Sequence, residues 1–238
     1  MDQKVLLSSG GMDSFLLAHE RELRGAIHVF VNLRQKYVDK ERVAAMAVAK
    51  MAGAQFVEMK TLNMGAYEHA TGIIPFRNAE LILCCAQHGN HIYLGVIADE
   101  INSDKSVEFC DAMANVLNIS HRPQYWTEGK RFEIRTPFRN DTKSALLARY
   151  LRNGGTWDNI LQSVSCYDAG SKHCGRCASC FKRWVAMINV TTMNEWQEWG
   201  FVADPFEWKP ASEWAKKFAD YADGRAAEIE SALFYAQL

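Results

Sequence analysis

The sequence predicts an α/β protein with a parallel sheet, and two observations carry this prediction. Between residues 4 and 155, short apolar runs alternate with segments whose apolar residues recur at helical spacing. The chain has 238 residues, of which 48% are hydrophobic and 23% charged, enough for one domain with a sizeable core. Because strand and helix alternate, we expect a Rossmann-like sheet of five parallel strands with helices on both faces.

The elements follow one another regularly along the chain. The expected strands are residues 4–7, 26–33, 55–60, 91–98 and 131–138, and the expected helices are residues 12–25, 39–54, 79–89 and 140–155. Gly53 near the end of the second helix and the pair Gly154-Gly155 after the fourth are typical of helix termination. Asn140 or Asp141 is the expected cap at the start of the fourth helix.

The alternation stops after Cys180, which suggests a different organisation of the C-terminal part. Five of the seven tryptophans lie at or beyond Trp184, and the tail is acidic. We expect three parts: an α/β domain over residues 1–162, a cysteine-rich segment over 163–185 and a helical extension over 186–238 with two helices around a PFEWKP turn. The extension is expected to cap the sheet or to contribute to a homodimer; binding of a separate protein partner is the alternative.

Composition narrows the class of protein. The formal net charge is −1, from 27 Lys and Arg against 28 Asp and Glu, so bulk charge does not indicate a nucleic-acid-binding protein. No stretch approaches the roughly 18 apolar residues of a membrane span, and the N-terminal apolar run is too short for a secretory signal. We therefore expect a cytoplasmic protein that does not bind membranes.

A glycine-containing turn between the first strand and the first helix is the first candidate site. Its sequence, SSGGMDS over residues 8–14, offers backbone N–H groups and serine hydroxyls that could hold phosphate. The spacing differs from GxxxxGK[ST] and from GxGxxG, which excludes those two phosphate-binding motifs. The alternative is an ordinary tight turn in which Asp13 caps the helix.

Four cysteines form the second candidate site. Cys166, Cys174, Cys177 and Cys180 fall within 15 positions and could supply the four thiolates of a structural zinc ion. An iron–sulfur cluster and a site in which His173 replaces one cysteine are alternatives. Two disulfides are disfavoured in a reducing compartment.

Several motifs, spaced along the chain, resemble segments of one family. SGGMDS resembles the SGGxDS loop of PP-loop ATP pyrophosphatases, and SVSCYDAGSKHCGRCASCFKRW resembles the zinc-binding end of 7-cyano-7-deazaguanine synthases. IIPFRNAELI and TPFRNDTKSAL resemble further segments of the same family. The resemblance extends from residue 4 to about residue 185. It implies an adenine nucleotide alpha hydrolase-like fold, structural Zn²⁺, and cleavage of ATP, bound with Mg²⁺, to AMP and pyrophosphate.

The implied reaction starts from 7-carboxy-7-deazaguanine. ATP activates its carboxylate, ammonia forms the amide, and a second activation with dehydration gives the nitrile. The resemblance assigns catalytic roles to Asp13, Ser14 and Lys143. It assigns ATP binding to Ser8, Ser9, Gly10, Gly11, Met12, Asp13, Ser14, Arg77 and Asn78.

Departures from the family pattern lie mainly on the substrate side. Phe76 stands where the family usually has glycine, and of a DYGQ-like turn only Gln35 remains. In place of a YxDCR-like turn the chain has an acidic stretch over residues 104–111, which belongs to a longer group that begins at Asp99. We expect the substrate to bind at Gln35, Asp104, Glu108 and Asp111.

These departures leave two alternatives open. If the surface that binds the attacking amine has changed, the enzyme could join the deazaguanine to a protein or nucleic-acid amine instead of ammonia. Related proteins in phage DNA modification and CBASS-type antiviral defence suggest this reaction. The other alternative is a zinc-ribbon adaptor without catalytic activity. An intact SGGMDS loop argues against the adaptor.

Overall fold

The computed structural model describes residues 2–60, 63–69, 74–98, 103–208 and 225–237. Five parallel strands form one sheet in the order β3-β2-β1-β4-β5. Their bounds are β1 Lys4–Leu7, β2 Ile27–Asn32, β3 Phe56–Lys60, β4 His91–Tyr93 and β5 Glu133–Arg135. The predicted fold class is confirmed.

Eight α-helices lie within the described ranges. They are α1 Met12–Ala18, α2 Val38–Met51, α3 Arg77–Ala86, α4 Val107–Ser120, α5 Lys143–Arg152, α6 Trp157–Leu161, α7 Ala178–Thr191 and α8 Arg225–Tyr235. Short 3₁₀ turns cover Arg21–Leu23, Met64–Tyr67, Ser103–Lys105 and Pro205–Glu207. None of these helices has the length and apolarity needed to cross a bilayer.

The fourth and fifth strands are shorter than predicted. The fourth was expected over residues 91–98, but its ladder ends at Tyr93, which pairs with Leu6 of the four-residue strand β1. Leu94 and Ile97 are still buried, so the apolar run continues past the end of the strand. An apolar run therefore predicts which residues are buried, whereas the length of the strand is set by the neighbouring strand with which it pairs.

Helix α4 corrects the sequence interpretation of residues 104–111 as a substrate-binding turn. Ser106 caps this helix, with its side-chain Oγ accepting a hydrogen bond from the Phe109 N–H at 3.0 Å. Cys110 and Leu117 face the core, and the opposite face of the helix is exposed. Of the three acidic residues predicted in this stretch, only Asp104 precedes the helix, and it lies within the short 3₁₀ turn.

The core has two parts because strand side chains alternate between the two faces of the sheet. Leu6 and Tyr93 point to the face that packs against α1, α5 and α7, and Val5 and Ile92 point to the face that packs against α3 and α4. The carboxyl ends of the strands meet at one edge. In open parallel sheets this edge is the usual place for ligands.

The described part of the C-terminal extension belongs to the main core. Trp199, Phe201 and Ile229 are buried in the same cluster as Leu6, and α8 packs on α7. Helix α7 runs through the expected boundary at 185 because its apolar face stays buried. Residues 192–204, before the PFEWKP turn, form turns and bends, and α8 is the helix that the structure describes after it. Residues 209–224 lie outside the described residues.

Candidate active site and metal site

A cavity of about 210 Å³ opens at the carboxyl ends of the strands. Segments after β1, β2 and β4 line it, together with the starts of α3 and α5. Most of the residues predicted from the sequence share this lining: Ser8, Ser9, Gly11, Met12, Asp13, Ser14, Gln35, Arg77, Asn78, Asp104 and Lys143. Three of the residues predicted to bind ATP or the substrate, Gly10, Glu108 and Asp111, do not line it.

The serine–glycine loop presents hydroxyl groups to the cavity. Ser8 is fully buried, and its Oγ has no hydrogen-bond partner within the described ranges. Ser14 Oγ donates to the Gly11 carbonyl oxygen at 3.0 Å, and Ser9 Oγ lies 3.5 Å from Ser14 Oγ. A buried hydroxyl without a partner is costly unless a ligand supplies one. The loop therefore suits a ligand with several hydrogen-bonding oxygens.

Gly10 contributes through packing rather than by contact with the cavity. Its φ of +73° is the left-handed conformation that favours glycine. A Cβ at this position would lie 2.7 Å from the backbone N of Ala45 and 2.7 Å from the backbone O of Glu41, both in α2. The loop and α2 therefore approach closely only because this residue has no side chain.

Asp13 and Lys143 form an ion pair in the cavity wall. Lys143 Nζ lies 3.0 Å from Asp13 Oδ1 and 3.1 Å from Oδ2. Lys143 is 9% exposed and begins α5, which is capped by Thr142 through the Ala145 N–H. Residues 130 positions apart in the chain are thus joined where two strands end. The pair provides one fixed positive charge and one carboxylate at the same point.

The backbone at the start of α3 shows why glycine suits the position that Phe76 takes in this chain. Phe76 has φ +58°, the left-handed region, and 83% of it is exposed. Glycine adopts this conformation without steric cost, so a family glycine at this position is expected on backbone grounds. Next to it, Arg77 lines the cavity and Asn78 Nδ2 donates to the Asp104 carbonyl oxygen at 3.3 Å.

Glu41 is a cavity residue that the sequence analysis missed. Gln35 Nε2 donates to Glu41 Oε2 at 2.7 Å, and both side chains line the cavity. Burial raises the pKa of Glu41 to about 7, against the lowering effects of the Gln35 hydrogen bond and of Arg77 and Lys40. In the sequence this glutamate reads as one of several charges at the start of an amphipathic helix. Only the packing of α2 beside Gly10 brings it to the cavity.

Two tyrosines were also missed. Tyr37 is buried and Tyr167 is half-exposed, and their ring centroids are 5.4 Å apart. Both line the cavity. Tyr167 follows Cys166 directly, so the family-like SCY segment was the signal that could have identified it.

Glu108 and Asp111 are the substrate-binding predictions that the structure does not support. Both lie on the exposed face of α4, outside the cavity lining. The reason is helical periodicity, because Cys110 and Leu117 take the inward positions of this helix. Asp99, the first residue of the acidic group, lies outside the described residues.

The four predicted cysteine ligands converge. The Sγ atoms of Cys166, Cys174, Cys177 and Cys180 all lie within 4.8 Å of one another, and those of Cys174 and Cys180 are 3.9 Å apart. Four thiolates bound to one tetrahedral ion at about 2.3 Å are about 3.8 Å apart, so this set suits a single metal ion. All seven cysteines are free, and the structure shows no disulfide among them.

Backbone N–H groups surround these sulfurs. Those of Asp168 and Cys174 each lie 3.4 Å from Cys166 Sγ, and that of Arg176 lies 3.3 Å from Cys174 Sγ. Hydrogen bonds from Cys177 and Cys180, and then from the backbone, hold the pKa of Cys166 far below its usual range. Donors of this kind stabilise thiolates, the form that binds metal.

His173 is not a member of the cysteine group. Its Nε2 accepts a hydrogen bond from the Ser165 N–H at 3.0 Å, and Ser165 Oγ in turn accepts one from the Met12 N–H at 3.3 Å. The Val164 N–H donates to the Gly10 carbonyl oxygen at 2.8 Å. The cysteine-rich segment therefore holds the serine–glycine loop from one side.

Comparisons with known proteins identify relatives of this chain. The model of the family described as queuosine biosynthesis protein QueC matches residues 57–191. A 7-cyano-7-deazaguanine synthase from Chlorobaculum tepidum is 30% identical over 217 residues, which cover 78% of this chain and 92% of the relative. The corresponding synthase from Marinobacter nauticus is 29% identical over 212 residues, covering 76% of this chain and 90% of the relative.

A solved structure was also found. It is the U34-tRNA thiolase NcsA from Methanococcus maripaludis with its [4Fe-4S] cluster, at 12% identity and a TM-score of 0.42, covering 98% of this chain and 70% of that one. This likeness is too distant to bear on the reaction or on the metal. The family model and the synthase relatives, which cover most of the chain, show that this chain belongs to the QueC family.

Proposed function

We propose that the protein activates the carboxylate of 7-carboxy-7-deazaguanine with ATP, forms the amide with ammonia and converts it to 7-cyano-7-deazaguanine. The observation that carries this proposal is one cavity in a QueC-family chain that holds the serine–glycine loop and the Asp13–Lys143 pair together. Its position at the carboxyl edge of a parallel sheet suits a nucleotide.

The loop side of the cavity is the proposed ATP site. In the first step, a carboxylate oxygen of the substrate attacks the α-phosphorus, the bond to the bridging oxygen breaks, and pyrophosphate leaves with the electron pair. Lys143 would stabilise the negative charge that develops on the phosphates, and the hydroxyls of Ser8 and Ser14 would bind phosphate oxygens. Asp13 carries the carboxylate that suits Mg²⁺, which neutralises phosphate charge when bound with ATP.

In the second step, ammonia displaces AMP from the activated substrate. Ammonia attacks the carbonyl carbon of the acyl adenylate, and AMP leaves with the former carboxylate oxygen. In a second activation the amide oxygen would attack the α-phosphorus of another ATP, and pyrophosphate would leave; AMP would then depart with the former amide oxygen while the nitrogen loses its two protons, which gives the nitrile. Because carboxylate and amide oxygen are activated by the same displacement at phosphorus, one cavity can serve both rounds.

The cysteine group is the proposed site of one structural Zn²⁺. Its four thiolates would complete a tetrahedral shell without an open position, as in structural zinc sites. The ion would hold the segment that contacts Gly10 and Met12. It takes no part in the proposed chemistry.

The test is product analysis by mass spectrometry after incubation with ATP, Mg²⁺, 7-carboxy-7-deazaguanine and ammonium. We expect AMP, pyrophosphate and the nitrile. ADP and orthophosphate as primary products, or an amide that never dehydrates, would contradict the proposal. Repeating the incubation with candidate macromolecular amines tests the conjugating alternative, and absence of turnover on every acceptor would favour the adaptor.

A further inference from the structure

We propose that Glu41 is the residue that recognises the heterocycle of the substrate. In this assignment its carboxylate accepts hydrogen bonds from the ring N–H and the exocyclic amino group, with Gln35, Tyr37 and Tyr167 completing the subsite. The inference rests on the function proposed above. It moves base recognition from the exposed Glu108 and Asp111 to the wall of the cavity.

The first step in the argument is the acceptor character of this wall. Gln35 is buried, with 6% of its surface exposed, and its Oε1 has no hydrogen-bond partner in the part of the chain that the structure describes. Its Nε2 is already used, since it donates to Glu41 Oε2 at 2.7 Å. The lining of the cavity therefore includes a buried amide oxygen without a partner in the described part of the chain and, beside it, a carboxylate. Such a wall requires a ligand with N–H donors.

The second step compares the parts of the two substrates. Phosphate is an acceptor and an anion, so it is repelled here and drawn to Lys143. The adenine edge places an amino donor beside the N1 acceptor, which suits an amide better than a carboxylate. The deazaguanine edge carries two adjacent donors, the ring N–H and the amino group, and a carboxylate can accept both at once. Glu41 thus fits the deazaguanine.

The third step is the aromatic wall. Tyr37 and Tyr167 lie with ring centroids 5.4 Å apart and both line the same cavity as Glu41. Flat heterocycles bind by stacking on such rings, whereas their edges are read by hydrogen bonds. Tyr167 adjoins the metal ligand Cys166, so the metal segment positions part of the base subsite.

The experiment compares 7-carboxy-7-deazaguanine with its analogue lacking the amino group, in the wild type and in Glu41→Gln. The variant keeps the shape of the side chain and an oxygen to accept from Gln35. We expect kcat/KM for 7-carboxy-7-deazaguanine to fall about 10- to 100-fold, mainly through KM, since a charge-assisted hydrogen bond is lost. KM for ATP should stay within about 2-fold, and preference for the amino-bearing base should largely vanish.

The controls separate recognition from folding. Glu108→Gln, an exposed glutamate on α4, should retain wild-type kinetics and preference. Tyr167→Ala should raise KM for both bases by a similar factor and keep the preference, because stacking does not read the amino group. If Glu41→Gln does not fold, Glu41→Asp, which shortens the reach of the carboxylate, is measured in the same way.

Two results overturn the assignment. If wild type converts the base but Glu41→Gln keeps its preference, or loses affinity for ATP instead, the inference fails and the proposed function stands. If wild type neither binds nor converts 7-carboxy-7-deazaguanine, the proposed function fails and the inference falls with it.

Discussion

Asp13 and Lys143 are the two residues with the most direct role in the proposed reaction. We expect Asp13→Ala and Lys143→Ala each to lower the rate of AMP formation by at least about 10²-fold, as for the loss of a group that stabilises transition-state charge. The measurement is the initial rate of pyrophosphate release. Asp111→Ala, on the exposed face of α4, serves as control and should remain near wild type. Near-normal rates in both cavity variants would remove the pair from the active site.

Glu41 makes a second prediction at this scale, one about stability. Its pKa is raised to about 7 by burial, although Gln35, Arg77 and Lys40 act to lower it and Glu68 to raise it. The pKa of Glu41 is higher in the folded state than in the unfolded state. The contribution of Glu41 to the free energy of unfolding is therefore fully present below about pH 4.5 and is lost as the pH rises through about 7. We therefore expect Glu41→Gln to gain stability relative to wild type across this window, by about 1–3 kcal/mol at pH 8.

Urea denaturation of both proteins at pH 5 and pH 8 measures this difference. Glu108→Gln is the control, because an exposed carboxylate should give the same small difference at both pH values. A difference between Glu41→Gln and wild type that does not grow with pH would show that the carboxylate carries no burial cost.

At the scale of the element, the cysteine-rich segment joins the four clustered cysteines to the serine–glycine loop. Val164 and Ser165 contact Gly10 and Met12, and Cys177 caps α7 through the Cys180 N–H at 3.4 Å. We expect one zinc ion per chain. Cys177→Ala should lose it, with a lower Tm and weaker ATP binding, since thiolate ligation couples metal binding to folding.

Elemental analysis, thermal unfolding and ATP titration measure the three effects. Cys110→Ala, a buried cysteine of α4 outside the metal group, should retain full metal content. Iron in the purified protein, or a Cys177→Ala variant with unchanged metal and Tm, would contradict the assignment.

At the scale of the whole molecule, the described part of the C-terminal extension shares the core of the α/β domain. Ile229 of α8 is 3% exposed and packs in the cluster that contains Leu6 and Trp184. We expect Ile229→Ala to reduce the free energy of unfolding by about 2–5 kcal/mol in a single cooperative transition. Phe234→Ala, at a position that is 60% exposed, should change it far less. A separate early transition for the extension would show an independent unit.

Several features were predictable because their determinants are close together in the chain. The SSGGMDS turn, the four cysteines and the alternation of strands and helices are local patterns, and each has a direct physical cause in backbone conformation, ligand spacing or burial. The Asp13–Lys143 contact is a different case, since nothing local links residues 130 positions apart. For that pair the family resemblance supplied the two roles, and only the parallel sheet brings the two strand ends together.

The acidic residues show what the sequence by itself left open. Glu41, Glu108 and Asp111 all stand in helical segments with apolar residues at helical spacing, and sequence alone does not say which helix face meets a cavity. Tertiary packing determines which face that is. Helix α2 can approach Gly10 because glycine has no side chain, and this approach brings Glu41 to the lining of the cavity. Cys110 and Leu117 anchor α4 to the core, so Glu108 and Asp111 face solvent. The sequence determined the fold class and the local motifs, whereas long-range packing determined that Glu41, and not Glu108 or Asp111, lines the cavity.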